Sequence, residues 1–308
     1  MGFMIDGVYH VGDDVTTVVP SGAFERTRST VRHQIGDDFP AEIERYHLFV
    51  AWNCPWAHRT LLTRTVKGLE DVISISVARP NRTDQGWVFD AVGPFSDPVL
   101  NASAVHEVYS ADPMGYTGRL TVPVLFDKVQ RRMVNNESAD IVRMLNGAFS
   151  DLRPDAPDLA PTALLGQIDY WNDLIYRTVN NGVYRAGFAS TQEAYEAAAR
   201  EVFQTLDTLD AHLAQNTWLC GETLTEADLR LFPTLARFDV AYHYAFRCNL
   251  RKLSDYEALW AYARRIYHLP GVAETVKFDI YKRGYFSASE KRNPLGIIPI
   301  GPETDWSL

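Results

Sequence analysis

Apolar and polar residues follow different patterns in the two halves of the chain. In the first half, apolar runs of strand length occur at residues 47–52, 72–77, 121–126 and 132–134. Each run is bounded by polar or turn-forming residues, as buried strands are. Helical spacing follows the first run, over residues 55–67, and the last run, over residues 139–145. The pattern predicts strand, helix, strand, and then strand, strand, helix.

The second half shows the spacing of helices only. Val202, Leu206, Leu209 and Leu213 form one apolar stripe, which is typical of a helix that faces a core. Helices are predicted at residues 163–179, 192–213, 225–235 and 256–267. The two patterns together predict a thioredoxin-like α/β domain at the N-terminal side and an all-α domain at the C-terminal side.

These patterns divide the chain into segments. Residues 1–44 show no period, and we expect an irregular N-terminal extension that lies along the folded body. The α/β domain is expected over residues 45–150. A proline-rich linker over residues 151–162 then leads to the helical domain at 163–308. The last part of that domain, residues 284–308, is rich in proline and glycine and is expected to be an irregular tail.

Cys54 is the strongest candidate for chemistry because it falls between a predicted strand and a predicted helix. Pro55 suits the first helical position, so the Cys54 sulfur would face the free amides of the first turn. These amides and the helix dipole favour a thiolate, which is the nucleophile of thiol–disulfide exchange. Ala57 stands where a redox pair would have its second cysteine, so we expect chemistry with a single thiol. The alternative is a small buried cysteine without reactivity, and this is the role expected of Cys220 and Cys248.

Two further places can hold an extended ligand. Val122 precedes Pro123, and a cis bond there would free the Val122 backbone to pair with a ligand, although only about 5–6% of such bonds are cis. Glu137 and Ser138 begin a predicted helix. They can cap that helix, or they can bind the α-amino and α-carboxylate groups of a peptide.

The connection over residues 79–118 is unusually long and contains Trp87 and Phe89. Long connections inside a domain are usually functional or contain short structure of their own. Two interpretations stay open: a packed surface loop with an aromatic anchor, or a lid that carries an aromatic side chain over a ligand.

Composition narrows the possible functions. The chain has 308 residues, 46% of them apolar, and a net charge of −9, which makes nucleic acid an improbable main partner. No apolar run approaches the ~20 residues needed to cross a membrane, and the first residues lack the pattern of a signal peptide. Three cysteines do not make a disulfide framework, so a reducing cytoplasm is expected. The eight histidines show no metal-ligand spacing with the cysteines, so no metal is expected.

Several longer motifs occur together and in one order along the chain. They are residues 45–48 (RYHL), 54–59 (CPWAHR), 118–125 (GRLTVPVL), 134–138 (VNNES), 181–184 (NGVY) and 224–228 (LTEAD), with further matches over residues 238–249 and 293–302. In this combination the chain resembles the glutathionyl-hydroquinone reductases, the xi class of the glutathione transferases. The resemblance covers most of the chain from about Phe39.

The resemblance implies a set of contacts with glutathione. It implies that Cys54 is the nucleophile and that glutathione is bound by Trp87, Arg119, Val122, Glu137 and Ser138. Val122 would pair with the peptide backbone, and Glu137 and Ser138 would hold the γ-glutamyl end. Trp87 and Arg119 would hold the rest of the molecule.

The resemblance also implies an aromatic substrate. Tyr184, Tyr242 and Tyr285 match tyrosines near the quinone site of the family, whereas tyrosine is otherwise common at the edge of a buried surface. The implied activity is removal of glutathione from a glutathionyl-hydroquinone, and the implied assembly is a homodimer. One alternative is a broader thioltransferase or dehydroascorbate-type reductase that uses glutathione or another low-molecular-weight thiol. Another is a transferase-like scaffold without activity, which would not need a cysteine at the start of a helix.

Overall fold

The computed structural model describes residues 2–12, 17–36, 38–290 and 292–308. Their contacts divide them into two units. The first unit comprises the described residues of Met1–Val15 and Thr27–Ala156, and the second those of Thr16–Arg26 and Pro157–Leu308. The division between the two larger pieces, after Ala156, falls within the proline-rich segment of the sequence.

The N-terminal segment contains short strands where the sequence predicts irregular chain. They are β1 (Phe3–Ile5), β2 (Val8–His10), β3 (Thr17–Val18) and β4 (Phe24–Glu25). In the first unit, β1 pairs with β2 and also with β7 (Gly118–Arg119), while β3 pairs with β4 in the second unit. Strands of two or three residues are too short to show an alternating pattern, which explains the difference. Residues 1, 13–16 and 37 of the predicted extension lie outside the described part of the chain.

The first unit is built on a four-stranded mixed sheet. Its strands are β5 (Tyr46–Ala51), β6 (Ser74–Ala78), β8 (Val124–Asp127) and β9 (Arg132–Asn135), in the order β6-β5-β8-β9. The strand β5 is parallel to β6 and antiparallel to β8, which is in turn antiparallel to β9. All six residues of β5 are buried, because both faces of a central strand are covered.

Three helices accompany this sheet: α1 (Pro55–Val66), α2 (Val105–Ser110) and α3 (Ser138–Gly147). Helices α1 and α3 pack against each other. Their apolar residues join those of the strands in one core, which also includes Trp87 and Phe89 of the long connection. This is the predicted thioredoxin-like α/β architecture.

Beyond β3 and β4, the second unit is helical. Its helices are α4 (Leu165–Ile175), α5 (Gly182–Phe188), α6 (Gln192–Leu213), α7 (Glu226–Arg237), α8 (His243–Ala245), α9 (Glu257–Tyr267) and α10 (Phe278–Tyr285). Two π-helical turns, Tyr176–Asn180 and Phe238–Tyr242, continue α4 and α7. The predicted all-α second domain is confirmed. None of the helices in the described ranges is long and apolar enough to cross a membrane.

The C-terminal tail lies against the helices of its own unit. The Trp306 ring packs edge-on against Trp260, with 4.6 Å between the ring centres, and also contacts Phe278. The Arg264 guanidinium donates a hydrogen bond to the carbonyl of Ser307 at 2.7 Å. The irregular tail begins later than the sequence predicts, because α10 continues to Tyr285.

Candidate functional site

The sheet brings several predicted site residues to one of its edges. Strands β5 and β9 run in the same direction, because both are antiparallel to β8 between them. Helices α1 and α3 follow these two strands, so both helices start at the same edge, with Cys54, Glu137 and Ser138 at their first turns. Strand β8 starts at this edge, and Val122 precedes it by two residues. One edge of the sheet therefore holds Cys54, the backbone of Val122 and the N-terminus of α3.

Cys54 is the N-cap residue of α1, with an extended backbone (φ −82°, ψ 117°) and Pro55 as the first helical residue. Its Sγ accepts a hydrogen bond from the Ala57 amide at 3.5 Å. The same sulfur lies 3.3 Å from the Val122 carbonyl oxygen, to which a thiol can donate. The residue is 9% exposed and joins the buried core of the first unit. The predicted contact between the sulfur and the first-turn amides is present.

Val122 is placed directly beside the cysteine. The Val122–Pro123 peptide bond is cis, the less common of the two states that the sequence left open. The Val122 side chain is buried, and its carbonyl is the one that faces the Cys54 sulfur. The residue is therefore at the correct edge of the sheet for its expected role in pairing with a ligand backbone.

Glu137 and Ser138 form the start of α3. The Glu137 carboxylate accepts hydrogen bonds from the Ala139 amide at 3.1 Å and from the Ser138 hydroxyl at 3.4 Å. The Glu137 amide donates to the Asn135 side chain at 2.7 Å. The capping interpretation from the sequence is therefore present in the structure, and contact with a peptide stays a prediction. The two functions are compatible, because a carboxylate has several acceptor positions.

Trp87 and Arg119 lie in different elements of the first unit. Trp87 is 4% exposed, and its carbonyl accepts a hydrogen bond from the Val105 amide at 2.8 Å. The Arg82 guanidinium lies over the Trp87 ring, 4.2 Å from its centre. These contacts make Trp87 a packed aromatic anchor, and its contact with a ligand stays a prediction. Arg119 belongs to β7, in the small sheet with β1, three residues before Val122.

The three predicted tyrosines come together in the second unit. The Tyr285 hydroxyl lies 2.7 Å from that of Tyr184 and 2.9 Å from that of Tyr242. The residues come from α5, from α10 and from the π-helical turn that follows α7. The Phe246 ring packs against all three, with ring centres 5.2 Å from Tyr184, 5.2 Å from Tyr242 and 5.5 Å from Tyr285. We call these three tyrosines the tyrosine cluster.

Burial keeps the hydroxyls of Tyr242 and Tyr285 protonated. Desolvation raises the pKa values of Tyr242 and Tyr285 well above the ordinary tyrosine value. Tyr184 raises both pKa values further, whereas the charge of Arg237 acts in the opposite direction. Neutral hydroxyls can donate hydrogen bonds to an oxygen atom on which negative charge develops.

Two residues of this region were not assigned a role from the sequence. Phe246 lies within a recognised motif, but nothing in the motif shows that its ring packs against the tyrosine cluster. Arg237 is fully buried at the end of α7, where a charged residue carries no sequence signal of burial. Within the described residues, no three or more His, Cys, Asp or Glu side chains are grouped so that they could hold a metal ion.

The comparisons with known proteins agree with this architecture. Residues 53–148 match the family model "Glutathione S-transferase, N-terminal domain", and residues 192–265 match "Glutathione S-transferase, C-terminal domain". The class of protein that the fold and the cysteine site define is therefore the glutathione transferases.

Relatives over the whole chain narrow this class. The chain is 46% identical to glutathionyl-hydroquinone reductase YqjG of Escherichia coli, with 99% of this chain and 96% of the relative covered. It is 44% identical to glutathionyl-hydroquinone reductase PcpF of Sphingobium chlorophenolicum, with 98% and 96% covered. The glutathione-bound structure of E. coli YqjG superposes with a TM-score of 0.89 at 44% identity, covering 99% of this chain and 97% of that one. The chain belongs to the glutathionyl-hydroquinone reductases, the xi class of the glutathione transferases.

Proposed function

We propose that the protein is an enzyme that removes glutathione from glutathionyl-hydroquinones, with Cys54 as nucleophile and glutathione as the second thiol. The observation that carries the proposal is the position of the Cys54 sulfur. It accepts a hydrogen bond from a first-turn amide of α1 and lies beside the Val122 carbonyl, at the edge where α3 also begins. The names of the two whole-chain relatives, both glutathionyl-hydroquinone reductases, support the same activity.

The sheet edge suggests how glutathione is held. Its γ-glutamyl carboxylate would meet the start of α3 and the Ser138 hydroxyl, and its ammonium group would meet the Glu137 carboxylate. Its cysteinyl backbone would pair with Val122, which brings its sulfur towards Cys54. Trp87 and Arg119 would contact the remainder of the tripeptide. The glutathione-bound structure of the relative YqjG supports glutathione as the thiol.

The proposed reaction has two steps. In the first, the Cys54 thiolate attacks the glutathione sulfur that is attached to the ring. The ring reacts as its keto tautomer, in which a hydroxyl proton has moved to the carbon that bears the sulfur. An S–S bond forms, the carbon–sulfur bond breaks, and its electron pair passes through the ring to the carbonyl oxygen, which takes up a proton so that hydroquinone leaves. In the second, the thiolate of another glutathione attacks the mixed disulfide and releases glutathione disulfide and the Cys54 thiolate. The aromatic carbon is reduced and the two glutathione sulfurs are oxidised, so no other redox partner is needed.

The tyrosine cluster is proposed to assist the first step. As the carbon–sulfur bond of the keto tautomer breaks, negative charge develops on the carbonyl oxygen that becomes a hydroquinone hydroxyl. The Tyr285 hydroxyl lies within 3 Å of the hydroxyls of Tyr184 and Tyr242, and these hydroxyls can donate hydrogen bonds to this charge. Support for this role comes from their common position in the second unit and from the pKa values that burial raises.

The test compares Cys54→Ala with the wild type. We expect Cys54→Ala to release hydroquinone from glutathionyl-hydroquinone at least about 10³-fold more slowly, because removal of a nucleophile leaves only binding contributions. Cys248→Ala, a buried cysteine in the other unit, is the matched control and should retain the rate. Equal rates for Cys54→Ala and the wild type would contradict the proposal.

The broader thioltransferase is the second candidate, because the Cys54 site would serve it equally well. A wild type that exchanges small glutathione disulfides rapidly but does not release hydroquinone would favour it. A scaffold would show neither reaction. We further propose that the protein acts in the cytoplasm as a homodimer, for which light scattering should give about twice the 34.8 kDa of one chain.

A further inference from the structure

Arg237 is a fully buried arginine at the end of α7. Its Nη1 donates a hydrogen bond to the Pro233 carbonyl at 2.9 Å. The centre of its guanidinium group lies 3.7 Å from the centre of the Tyr281 ring. Burial of a cation is costly unless its surroundings compensate for the lost water. The surroundings of this guanidinium therefore indicate what the charge is for.

Four tyrosines act on the charge of Arg237. After desolvation, the groups that act most strongly on the pKa of Arg237 are the hydroxyls of Tyr281, Tyr242, Tyr285 and Tyr184, and each favours its charged form. In return, the Arg237 charge lowers the pKa values of Tyr242 and Tyr285, in opposition to burial. The cation and the hydroxyls of the tyrosine cluster are thus electrostatically coupled.

The chain geometry explains this coupling. Tyr281, which stacks on the guanidinium, lies one turn before Tyr285 on the same face of α10. Tyr242 follows Arg237 by five residues, across the π-helical turn Phe238–Tyr242. Tyr242 and Tyr184 both lie within hydrogen-bonding distance of the Tyr285 hydroxyl. Helix α7 therefore carries the positive charge of Arg237. Helix α10 carries both Tyr281, which stacks on that charge, and Tyr285 of the tyrosine cluster.

We propose that Arg237 is a positioning residue that polarises the hydroxyls of the tyrosine cluster and so stabilises negative charge on the departing hydroquinone oxygen. The proposal rests on the proposed function. A nearby cation makes a hydroxyl a stronger hydrogen-bond donor, and it acts strongly in a buried site because little water screens it. The benefit is largest for hydroquinones that leave least readily, so Arg237 would widen the range of rings that the enzyme accepts.

The test uses ring-substituted substrates and three variants. Glutathionyl-hydroquinones with methyl or chlorine substituents differ in the acidity of the departing hydroquinone, and chlorine makes it leave more readily. Arg237→Gln removes the charge, and Arg237→Lys keeps a charge on a shorter group. Arg230→Gln is the matched control: Arg230 also lies on α7, but its guanidinium pairs with Glu226 at 2.9 Å.

We expect Arg237→Gln to lower kcat by about 100-fold for the methyl-substituted substrate, the size of effect known for one oxyanion donor. The loss for the chlorinated substrate should be about tenfold smaller. Arg237→Lys should retain the wild-type dependence on the leaving group. Arg230→Gln should change both substrates by the same factor. Arg237→Met, which keeps an apolar stem, is measured in parallel in case the glutamine variant does not fold.

Two results would overturn the inference: unchanged kcat in the variants that lack the charge, or a loss of the same factor for every ring. The second would show a structural role only. Folding is checked by thermal melting and by alkylation of Cys54, which lies in the other unit. If wild-type enzyme releases no hydroquinone, the proposed function fails instead, so the two failures are distinguishable.

Discussion

The three cysteines differ in exposure and in hydrogen bonding, because their surroundings differ. Cys54 is 9% exposed and contacts a helix N-terminal amide, whereas Cys248 is fully buried. Burial raises the pKa of Cys248 to about 12 and also raises that of Cys220, whose sulfur accepts a hydrogen bond from the Thr225 hydroxyl. Neither of these thiols is ionised at neutral pH. Reactivity should therefore be confined to Cys54.

We predict that iodoacetamide at pH 7 modifies Cys54 and leaves Cys220 and Cys248 unmodified in the folded protein. The reagent reacts with thiolates, and two of the three thiols stay protonated and buried. Peptide mass spectrometry identifies the modified residue, with Cys54→Ser as the control that should take up no label. Modification of Cys248 at a comparable rate in folded protein would contradict the prediction.

The sequence could predict Cys54 but could not predict how the tyrosines meet. An apolar run, a cysteine and a proline stand next to one another, so local rules place the sulfur at a helix start. The hydrogen bond between Tyr184 and Tyr285 joins residues 101 positions apart, and no local pattern reports such a contact. Only the resemblance to a family suggested that these tyrosines act together, and it gave no indication of Arg237.

At the scale of an element, strand β5 carries a buried histidine with a complete hydrogen-bond network. The ring nitrogens of His47 lie 2.7 Å from the hydroxyls of Ser74 and of Ser76 on the neighbouring strand β6. The Ser76 hydroxyl donates to Asp97, whose carboxylate accepts three backbone amides of the long connection. Desolvation lowers the pKa of His47 to about 4, although the Asp97 charge opposes it. The strand pair is therefore built around a neutral imidazole.

This network predicts a loss of stability in mild acid. The pKa of His47 is lower in the folded state than its ordinary 6.5. The stability that the neutral histidine contributes is therefore fully present above pH 6.5 and is lost as the pH falls towards 4. The shift corresponds to about 3 kcal/mol. Urea unfolding from pH 7 to pH 4 should therefore show a flatter profile for His47→Gln than for the wild type. Parallel profiles would show that the histidine is not the cause.

Gly187 of helix α5 lies so close to the Phe246 ring that a larger residue does not fit unless the ring moves. A Cβ at Gly187 would overlap the Phe246 ring, which packs against Tyr184, Tyr242 and Tyr285. Gly187→Ala should destabilise the protein by about 1–3 kcal/mol and reduce hydroquinone release, because the ring must move. The measurements are denaturant unfolding and the release rate.

Gly166→Ala in α4 is the matched control for this substitution. No atom lies within 4 Å of the added Cβ, and the position is exposed. Alanine is the better helix former there, so stability should rise by about 0.5–1 kcal/mol with no change in the release rate. If Gly187→Ala behaves like this control, the packing of Phe246 is not required for the function of the tyrosine cluster.

At the scale of the whole molecule, the fold class follows from the periodicity of the two halves, but the element boundaries do not. The spacing over residues 163–179 predicts one helix, whereas the structure has α4 and then the π-helical turn Tyr176–Asn180. A wide turn disturbs apolar spacing too little for the pattern to reveal it. Helix α10 was not predicted, because no element was assigned between residue 267 and the predicted tail at residue 284, yet this helix holds Tyr285. One of the missed elements therefore carries a residue of the tyrosine cluster.

The proposed nucleophile and the proposed hydroxyl donors lie in separate units, so single substitutions should affect thiol exchange and hydroquinone release separately. Cys54, the proposed nucleophile, lies in the first unit, and the proposed hydroxyl donors lie in the second. Exchange with a small glutathione disulfide needs the thiolate only, because its leaving group is a thiolate that needs no ring stabilisation. In the proposed reaction, hydroquinone release needs both the thiolate and the donors.

We therefore predict that Tyr285→Phe lowers hydroquinone release by about 100-fold, because its hydroxyl is the one shared by Tyr184 and Tyr242. Exchange with the mixed disulfide of glutathione and 2-mercaptoethanol should stay within about twofold of the wild type, since Cys54 is untouched. Cys54→Ser should abolish both reactions, and Tyr170→Phe, at a residue 61% exposed, should affect neither. Equal losses in both assays for Tyr285→Phe would mean that the tyrosine supports the fold in general and not the departure of the ring.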